Sequence, residues 1–115
     1  MRREQDSLGE ILLAEDEYFG IGTARLVSVV EAIGPCLPKT LAVNIARVRQ
    51  AQAQLFGSTG AWSEHLTKAV LAAGEKIATD EVDLNDQVIV RMLHGGGARS
   101  LVVNIDEVLA NVALE

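Results

Sequence analysis

The chain has 115 residues, of which 49% are hydrophobic and 3% aromatic, and it carries a formal net charge of −6. This length suits one domain, spanning residues 1–115, that can bury a core without disulfides or metals. The acidic balance disfavours binding to phosphate backbones, so nucleic acid is not an expected partner. No apolar run reaches the length of a membrane span or follows the charged N-terminus as in a secretory signal, so we expect a cytoplasmic protein.

The first third of the chain predicts a short extended segment followed by a helix. Residues 11–13 form a brief apolar run typical of an edge strand or a hairpin arm. Leu26 and Val29 begin an apolar pattern at helical spacing that Gly34 and Pro35 terminate, which predicts a helix over residues 23–33.

A second predicted helix covers residues 39–56 and ends at Gly57. We expect its apolar stripe to face the core; the stripe consists of Leu41, Ile45, Val48 and Leu55. The opposite side, with Arg47, Gln50 and Gln54, is expected to be solvated. Gln52 lies in line with the stripe and has two interpretations, a buried polar residue or one satisfied by backbone or water near the helix end.

A third predicted helix covers residues 61–78, with Trp62 as a core anchor at one end. His65 lies at the margin of its apolar stripe, and a surface histidine is a simpler interpretation than a catalytic one because no partner at catalytic spacing is visible. The single cysteine, Cys36, cannot form an intrachain disulfide, and no cysteine pair suggests a metal site.

The last stretch combines a flexible backbone with a helix start. Residues 88–90 are β-branched and predict an extended or irregular segment, after which Gly95, Gly96 and Gly97 lead into a helix. Asn104 is predicted as the N-cap of that helix, with Glu107 as its reciprocal partner. A glycine-rich backbone against a helix N-terminus is a geometry that suits a carboxylate or phosphate.

These residues carry a family resemblance. The matching residues are 95–100 (GGGARS), Asn104 and 107–111 (EVLAN). They resemble the substrate loop and the following helix of the aspartase/fumarase superfamily, in which the pattern is G-G-A-G-T-S-x-N-M-N, then two residues, then E-V-I/L-A-N. The start of the chain is similar to the opening of that family, in which the patterns are D-x-L-G-E and Y-G-I-x-T-x-R-A. The similar residues are 6–10 (DSLGE), 18–21 (YFGI) and the pair Thr23-x-Arg25. Residues 86–90 resemble its D-Q-F-x-V-D segment.

The resemblance implies a mainly α domain of about four helices with a short N-terminal β segment, as in the N-terminal domain of the family. Such enzymes eliminate ammonia, water or an amine to leave fumarate or a fumaryl group, with neither metal nor organic cofactor. Each site is assembled from three subunits of a tetramer. The family's catalytic serine lies in a G-S-S-x-x-P-x-K-x-N signature of the central domain, which these 115 residues lack, so we expect no catalytic residue here.

The candidate substrate-binding residues are therefore those of the loop: Arg99, Ser100 and Asn104, with the backbone of the three glycines. Arg99 stands where the family has a threonine that binds a substrate carboxylate. Leu101, Val102 and Val103 stand where the family has a small polar residue or valine, then asparagine and methionine. Arg99 could itself bind a carboxylate in a bidentate manner, so a dicarboxylate remains a candidate ligand.

Two functional hypotheses stay open. The chain is either a piece of a fumarate-lyase-type enzyme, inactive alone and needing a partner that carries the central domain, or a non-catalytic helical interaction or oligomerisation module derived from that domain. Apolar faces that the central domain covers in the family would be exposed in the isolated chain. Self-association to a dimer or a higher oligomer is therefore expected.

Overall fold

The computed structural model of the chain describes residues 1–29, 33–94 and 98–115. Over these residues the chain forms one hairpin and four helices, in the order β1 Arg2–Asp6, β2 Gly9–Leu13, α1 Ile21–Val29, α2 Lys39–Ser58, α3 Glu64–Ala78 and α4 Ala98–Ala113. The predicted fold class, a mainly α domain of about four helices with a short N-terminal β segment, is confirmed.

The N-terminal hairpin is antiparallel, and its register pairs Arg2 with Leu13 and Asp6 with Gly9. Gly9 has a φ of 118°, a backbone conformation that glycine adopts without strain, and it closes the tight turn. The predicted extended segment at residues 11–13 is thus confirmed as the second arm. Leu13 is buried in the main core, so the end of this arm packs against the helices.

An ion pair ties the hairpin to α1. The Arg25 guanidinium meets the Asp6 carboxylate in a bidentate manner, with Nε to Oδ2 at 2.6 Å and Nη2 to Oδ1 at 2.7 Å. Arg25 Nη2 also donates to the carbonyl of Gly9 at 3.1 Å. One side chain of α1 therefore contacts both ends of the turn that joins the two strands.

Helix α4 supplies the largest part of the core and packs against α1, α2 and α3. Its buried apolar side chains recur at helical spacing and are Leu101, Ile105, Val108, Leu109 and Val112. In the sequence, Ile105, Val108, Leu109 and Val112 recur at helical spacing and predict the apolar stripe of this helix, and the structure confirms that all four are buried. The helix itself begins earlier than predicted, as described with the candidate site.

The predicted orientation of α2 is wrong. The residues that face the core are Ala42, Ala46, Gln50 and Ala53. Three members of the predicted stripe are exposed instead, Leu41 by 37%, Val48 by 56% and Leu55 by 58%. The small side chains turn inward because they allow neighbouring helices to approach closely.

Gln50 shows how close this approach is. A Cβ atom on Gly74 of α3 would lie 2.5 Å from Gln50 Cγ. Gln50, predicted to be solvated, is instead buried; its Nε2 donates to Leu71 O at 2.7 Å and its Oε1 accepts from Arg47 at 2.8 Å. The interface between α2 and α3 thus requires a glycine on one helix and a satisfied amide on the other.

The predicted boundaries of three helices also need correction. Helix α1 begins at Ile21 rather than at residue 23 and Ile33 is not helical, while residues 30–32 lie outside the described part of the chain. Helix α2 continues to Ser58. Helix α3 starts at Glu64 because the Ser63 hydroxyl accepts the Leu66 N–H at 3.2 Å and caps it.

Trp62 consequently lies just before α3 and not within it. It is half-buried, and its ring packs against that of Phe56 with the ring centroids 5.2 Å apart. The predicted anchor is thus an aromatic contact at the end where α2 meets α3.

The ion pair between Asp6 and Arg25 predicts a pH-dependent stability. Hydrogen bonding to Arg25 holds the pKa of the Asp6 carboxyl below its ordinary value of 3.8. The carboxylate therefore stabilises the folded state above that pH, and this stabilisation is lost as the pH falls through the lowered pKa. We expect Asp6→Asn to reduce the free energy of unfolding at neutral pH, and the deficit to shrink below about pH 4. Urea unfolding across this range measures it.

The matched control is Glu10→Gln, which removes a longer and more exposed contact with Arg3, at 3.5 Å. Its deficit is expected to be small at every pH. An Asp6→Asn deficit that stays constant from neutral pH to about pH 3 would contradict the assigned role of the ion pair.

Candidate functional site

The predicted site residues lie at the start of α4. Gly95, Gly96 and Gly97 fall outside the described residues, and the helix is described from Ala98. Arg99 and Ser100 occupy its first turn; Arg99 is exposed, whereas Ser100 is buried. The helix therefore presents the arginine to solvent and turns the serine toward the protein.

Asn104 is completely buried one turn further along, on the same side as Ser100. Its Oδ1 accepts the N–H groups of Ile89 at 2.9 Å and Val90 at 3.1 Å, and its Nδ2 donates to Gln87 O at 2.8 Å. The irregular segment predicted here is confirmed, and the Asn104 amide holds it against α4. That Asn104 binds substrate stays a prediction.

The predicted N-cap at Asn104 is wrong, because α4 begins at Ala98 and Asn104 lies inside the helix. Asparagine is common at N-caps because its side chain binds nearby backbone amides. Here the Asn104 side chain instead binds the backbone amides of Ile89 and Val90 in another segment. Glu107 likewise does not reach back to Asn104, since its carboxylate caps a different helix.

Glu107 occupies the N-terminus of α1. Its Oε2 accepts the N–H groups of Gly20 at 2.9 Å and Thr23 at 3.0 Å, and its Oε1 accepts that of Gly22 at 2.8 Å. A second carboxylate, Glu4, accepts the Ile21 N–H at 2.7 Å. Carboxylates are stabilised there by unpaired amides and the helix dipole. The capping explains why α1 begins two residues earlier than predicted.

Two glycines make room for this carboxylate. A Cβ atom on Gly20 would lie 2.9 Å from Glu107 Cδ, and one on Gly22 would lie 2.7 Å from Glu107 Oε1. Either contact would push the carboxylate away from the amides. The glycines before and within the first turn of α1 are therefore required by the contact with α4.

The backbone of Tyr18 is held from two sides. Its N–H donates to Gln87 Oε1 at 2.6 Å, and its carbonyl accepts from Asn111 Nδ2 at 2.7 Å. Asn111, half-buried on α4, is therefore a hydrogen-bonding residue. The Tyr18 hydroxyl donates to Glu115 Oε1 at 2.7 Å, and this bond, with burial, raises the pKa of the phenol.

These side chains form what we call the framework: Asp6, Arg25, Gln87, Asn104, Glu107 and Asn111. Their residue types were visible in the sequence as parts of the matched motifs, but their structural roles were not. The partners of Glu107 lie 84 to 87 positions away along the chain. No local pattern could have identified them.

Comparisons with known proteins find relatives along almost the whole chain, although no model of a known protein family matches it. Aspartate ammonia-lyase from Pseudomonas aeruginosa is 36% identical over 117 residues, which cover 99% of this chain and 24% of that protein. Fumarate hydratase class II from Halobacterium salinarum is 32% identical over 114 residues, again 99% of this chain and 24% of that protein. In structure, the fumarate lyase:delta crystallin from Brucella melitensis matches with a TM-score of 0.86 and 34% identity, covering 99% of this chain and 26% of its own.

The chain belongs to the aspartase/fumarase superfamily. It corresponds to the N-terminal domain of these enzymes, which confirms the resemblance of the motifs. The chain spans about a quarter of the length of the curated relatives it matches.

Against the superfamily loop, the altered positions have different surroundings. Leu101 is buried in the main core with Ile105 and Val108, so its side chain serves packing. Val102 and Val103 are half-buried, while Arg99 is exposed. Of these four departures from the superfamily pattern, only Arg99 adds a charge, and it lies at the surface in the first turn of α4.

The other candidates for chemistry offer little. Over residues 1–29, 33–94 and 98–115, no group of three or more His, Cys, Asp or Glu side chains could hold a metal ion. His65 and Cys36 are exposed, and the Cys36 thiol contacts the Arg91 guanidinium. No helix in the same ranges is both long enough and apolar enough to cross a membrane.

The role of Asn104 can be tested by Asn104→Ala. Removing the amide would leave the N–H groups of Ile89 and Val90 and the carbonyl of Gln87 without this partner in a buried place. We expect a loss of about 2 to 4 kcal/mol in the free energy of unfolding. Urea denaturation measures the loss, and amide exchange at Ile89 and Val90 should accelerate relative to the rest of the core.

Asn44→Ala is the matched control because Asn44 is exposed on α2. It should change stability by no more than about 0.5 kcal/mol. Equal effects of the two substitutions, or unchanged exchange at residues 89 and 90, would refute the role of Asn104 as the clamp on this segment.

Proposed function

We propose that the chain acts as the N-terminal domain of a fumarate-lyase-type enzyme, which eliminates ammonia or water from an aspartate-like or malate-like substrate to give fumarate. The supporting observation is the agreement of sequence and fold with aspartate ammonia-lyase and fumarate hydratase relatives over 99% of the chain. Because the chain spans about a quarter of those proteins, the activity belongs to a larger assembly. The 115 residues alone have no turnover.

Within that assembly, the start of α4 binds a carboxylate of the substrate. Arg99 is exposed in the first turn, where the amides of any helix lack intrahelical acceptors and the dipole is positive. A guanidinium can add two parallel hydrogen bonds to one carboxylate. Ser100, Asn104 and the backbone of the three glycines remain further candidates for contact with the substrate.

The chemical role of this region is electrostatic. Removal of the proton beside a carboxylate places a second negative charge on that group in the transition state, and fixed donors stabilise it. The base that removes the proton comes from the central domain, on the same or a separate chain. Neither a metal nor an organic cofactor takes part.

A second candidate function is a non-catalytic module for helical interaction or oligomerisation. The exposed apolar residues of α2 favour it, as does the exchange of a carboxylate-binding threonine for Arg99. The two functions differ in what the domain does when it replaces its counterpart in an active enzyme.

A chimera tests the enzymatic function. We expect the chain, exchanged for the matching quarter of the Pseudomonas aeruginosa aspartate ammonia-lyase, to give an assembled enzyme with measurable formation of fumarate. Val102→Asn, which returns one position of the loop to the superfamily pattern and keeps Arg99, should raise kcat/KM for aspartate by at least about tenfold, because a lost hydrogen-bond donor in the loop is restored. Ultraviolet absorbance of the fumarate double bond measures both.

The isolated chain, assayed beside the chimera, should form no fumarate from aspartate or malate. Turnover by the isolated chain would overturn the assignment of the base to the central domain. An assembled chimera that stays inactive with the restored loop would favour the non-catalytic module.

Carboxylate binding by Arg99 can be measured on the chain itself. We expect succinate to shift the amide resonances of the first turn of α4, and Arg99→Ala to weaken this binding by about tenfold, the effect of one lost charge-assisted contact. The matched control is Arg3→Ala, which removes an exposed arginine on the hairpin. If both variants bind succinate as the unmodified chain does, or if no binding occurs, Arg99 is not a carboxylate ligand.

A further inference from the structure

A cavity lies between the last turn of α1, the segment before α2 and the segment that leads to α4. It has a volume of about 360 Å³, near the lower end of the range for ligand pockets, which is roughly 300 to 1,000 Å³. Its lining combines apolar and charged side chains and includes Val27, Cys36, Asp86, Val88, Ile89 and Arg91. This size suits one small molecule.

The backbone that carries these side chains is held in place by contacts within the chain. Cys36 and Arg91 face each other in an isolated antiparallel β-bridge. Asn104 of α4 accepts the N–H groups of Ile89 and Val90 through its Oδ1. Because these contacts join the lining segments without a ligand, binding in the cavity requires little further ordering.

Arg91 brings a positive charge to the cavity that no carboxylate compensates within the described part of the chain. Its guanidinium contacts the Cys36 thiol, a weak acceptor that leaves other N–H donors available. The arginines of the hairpin, α1 and α2 differ, since each forms an ion pair with a carboxylate; they are Arg2, Arg3, Arg25, Arg47 and Arg49. Arg91 can therefore bind an anionic group of a ligand.

Asp86 brings the opposite charge. It lies inside the turn that the Val88 N–H closes on the Leu84 carbonyl at 2.9 Å, and it is exposed. Over residues 1–29, 33–94 and 98–115, its carboxylate forms neither an ion pair nor a hydrogen bond. Asp86 and Arg91 thus line one cavity without neutralising each other.

Two unpaired charges of opposite sign beside apolar walls suit a molecule that carries both charges and an apolar part. An α-amino acid has this chemistry, because its carboxylate can accept two parallel hydrogen bonds from a guanidinium and its ammonium group can donate to Asp86. Val27, Val88 and Ile89 are half-buried and provide a surface for an apolar side chain. A dicarboxylate would bring a second negative charge toward Asp86, which disfavours it.

We propose that this cavity binds a zwitterionic α-amino acid with an apolar side chain. Arg91 binds the carboxylate of the amino acid, and Asp86 binds its ammonium group. Arg99, Ser100 and Asn104 are not part of the described lining. The site therefore goes beyond the proposed lyase function and does not rest on it.

A series of probes on the unmodified chain tests whether binding needs both charges. We expect L-leucine to shift the amide resonances of residues 85–91. Isocaproate lacks the ammonium group and isoamylamine lacks the carboxylate, and each should bind at least about tenfold more weakly, the effect of one lost charge-assisted contact. L-leucine should also slow the alkylation of Cys36 by iodoacetamide, a reaction that reports on the cavity because the chain has a single cysteine.

Two conservative variants test the assigned residues. Arg91→Gln should weaken the binding of both L-leucine and isocaproate by about tenfold. Asp86→Asn should weaken the binding of L-leucine by about tenfold and should not weaken that of isocaproate, which has no group for the carboxylate to bind. The matched controls are Arg3→Gln and Asp16→Asn, which remove exposed charges elsewhere and should leave both affinities unchanged.

Circular dichroism verifies that the variants are folded, and the probe series decides the question on the unmodified chain if one of them is not. The proposal is overturned if L-leucine does not bind, or if isocaproate or isoamylamine binds as tightly as L-leucine. It is also overturned if a folded Arg91→Gln or Asp86→Asn variant binds L-leucine as tightly as its control does.

Discussion

The structure depends on one carboxylate, that of Glu107, held at the N-terminus of α1. A carboxylate that is partly removed from water is stable only when donors replace the hydration it loses, and the backbone amides of Gly20, Gly22 and Thr23 provide them. The contact fixes α1 against α4, which also supplies the largest part of the core. It explains the two glycines as well, since side chains there would displace the carboxylate.

The framework as a whole works by the same principle, in which side chains of one segment satisfy the backbone of another. Asn104 binds residues 87–90, Asn111 binds Tyr18, and Arg25 joins Asp6 to the turn of the hairpin. These contacts substitute for regular secondary structure in segments that have little of their own. A chain with this much irregular backbone needs such polar side chains to keep its buried amides paired.

Local patterns predicted the elements, whereas the contacts between distant segments could not be predicted. The hairpin arm and the helices follow from apolar spacing, capping residues and turn residues within a few positions of each other. The orientation of α2 does not, because the helix has apolar residues on both sides and only the fit against Gly74 and the neighbouring helices decides which side is buried. The N-cap prediction for Asn104 was wrong for a related reason. The sequence does not show whether the amide of an asparagine near a helix binds that helix or a segment 14 to 17 residues away.

The contacts of the framework show which polar side chains the fold requires. Glu107, Asn104 and Arg25 are committed to backbone or ion-pair contacts, so changes there act on stability first. Arg99 is exposed, and the core is complete without it. Substitution of Arg99 is therefore expected to have little effect on folding. For the candidate site, the sequence identified the motif and its departures from the superfamily pattern, but it placed the start of α4 at Asn104 instead of Ala98. Only the structure distinguished exposed Arg99 from buried Ser100 and Asn104.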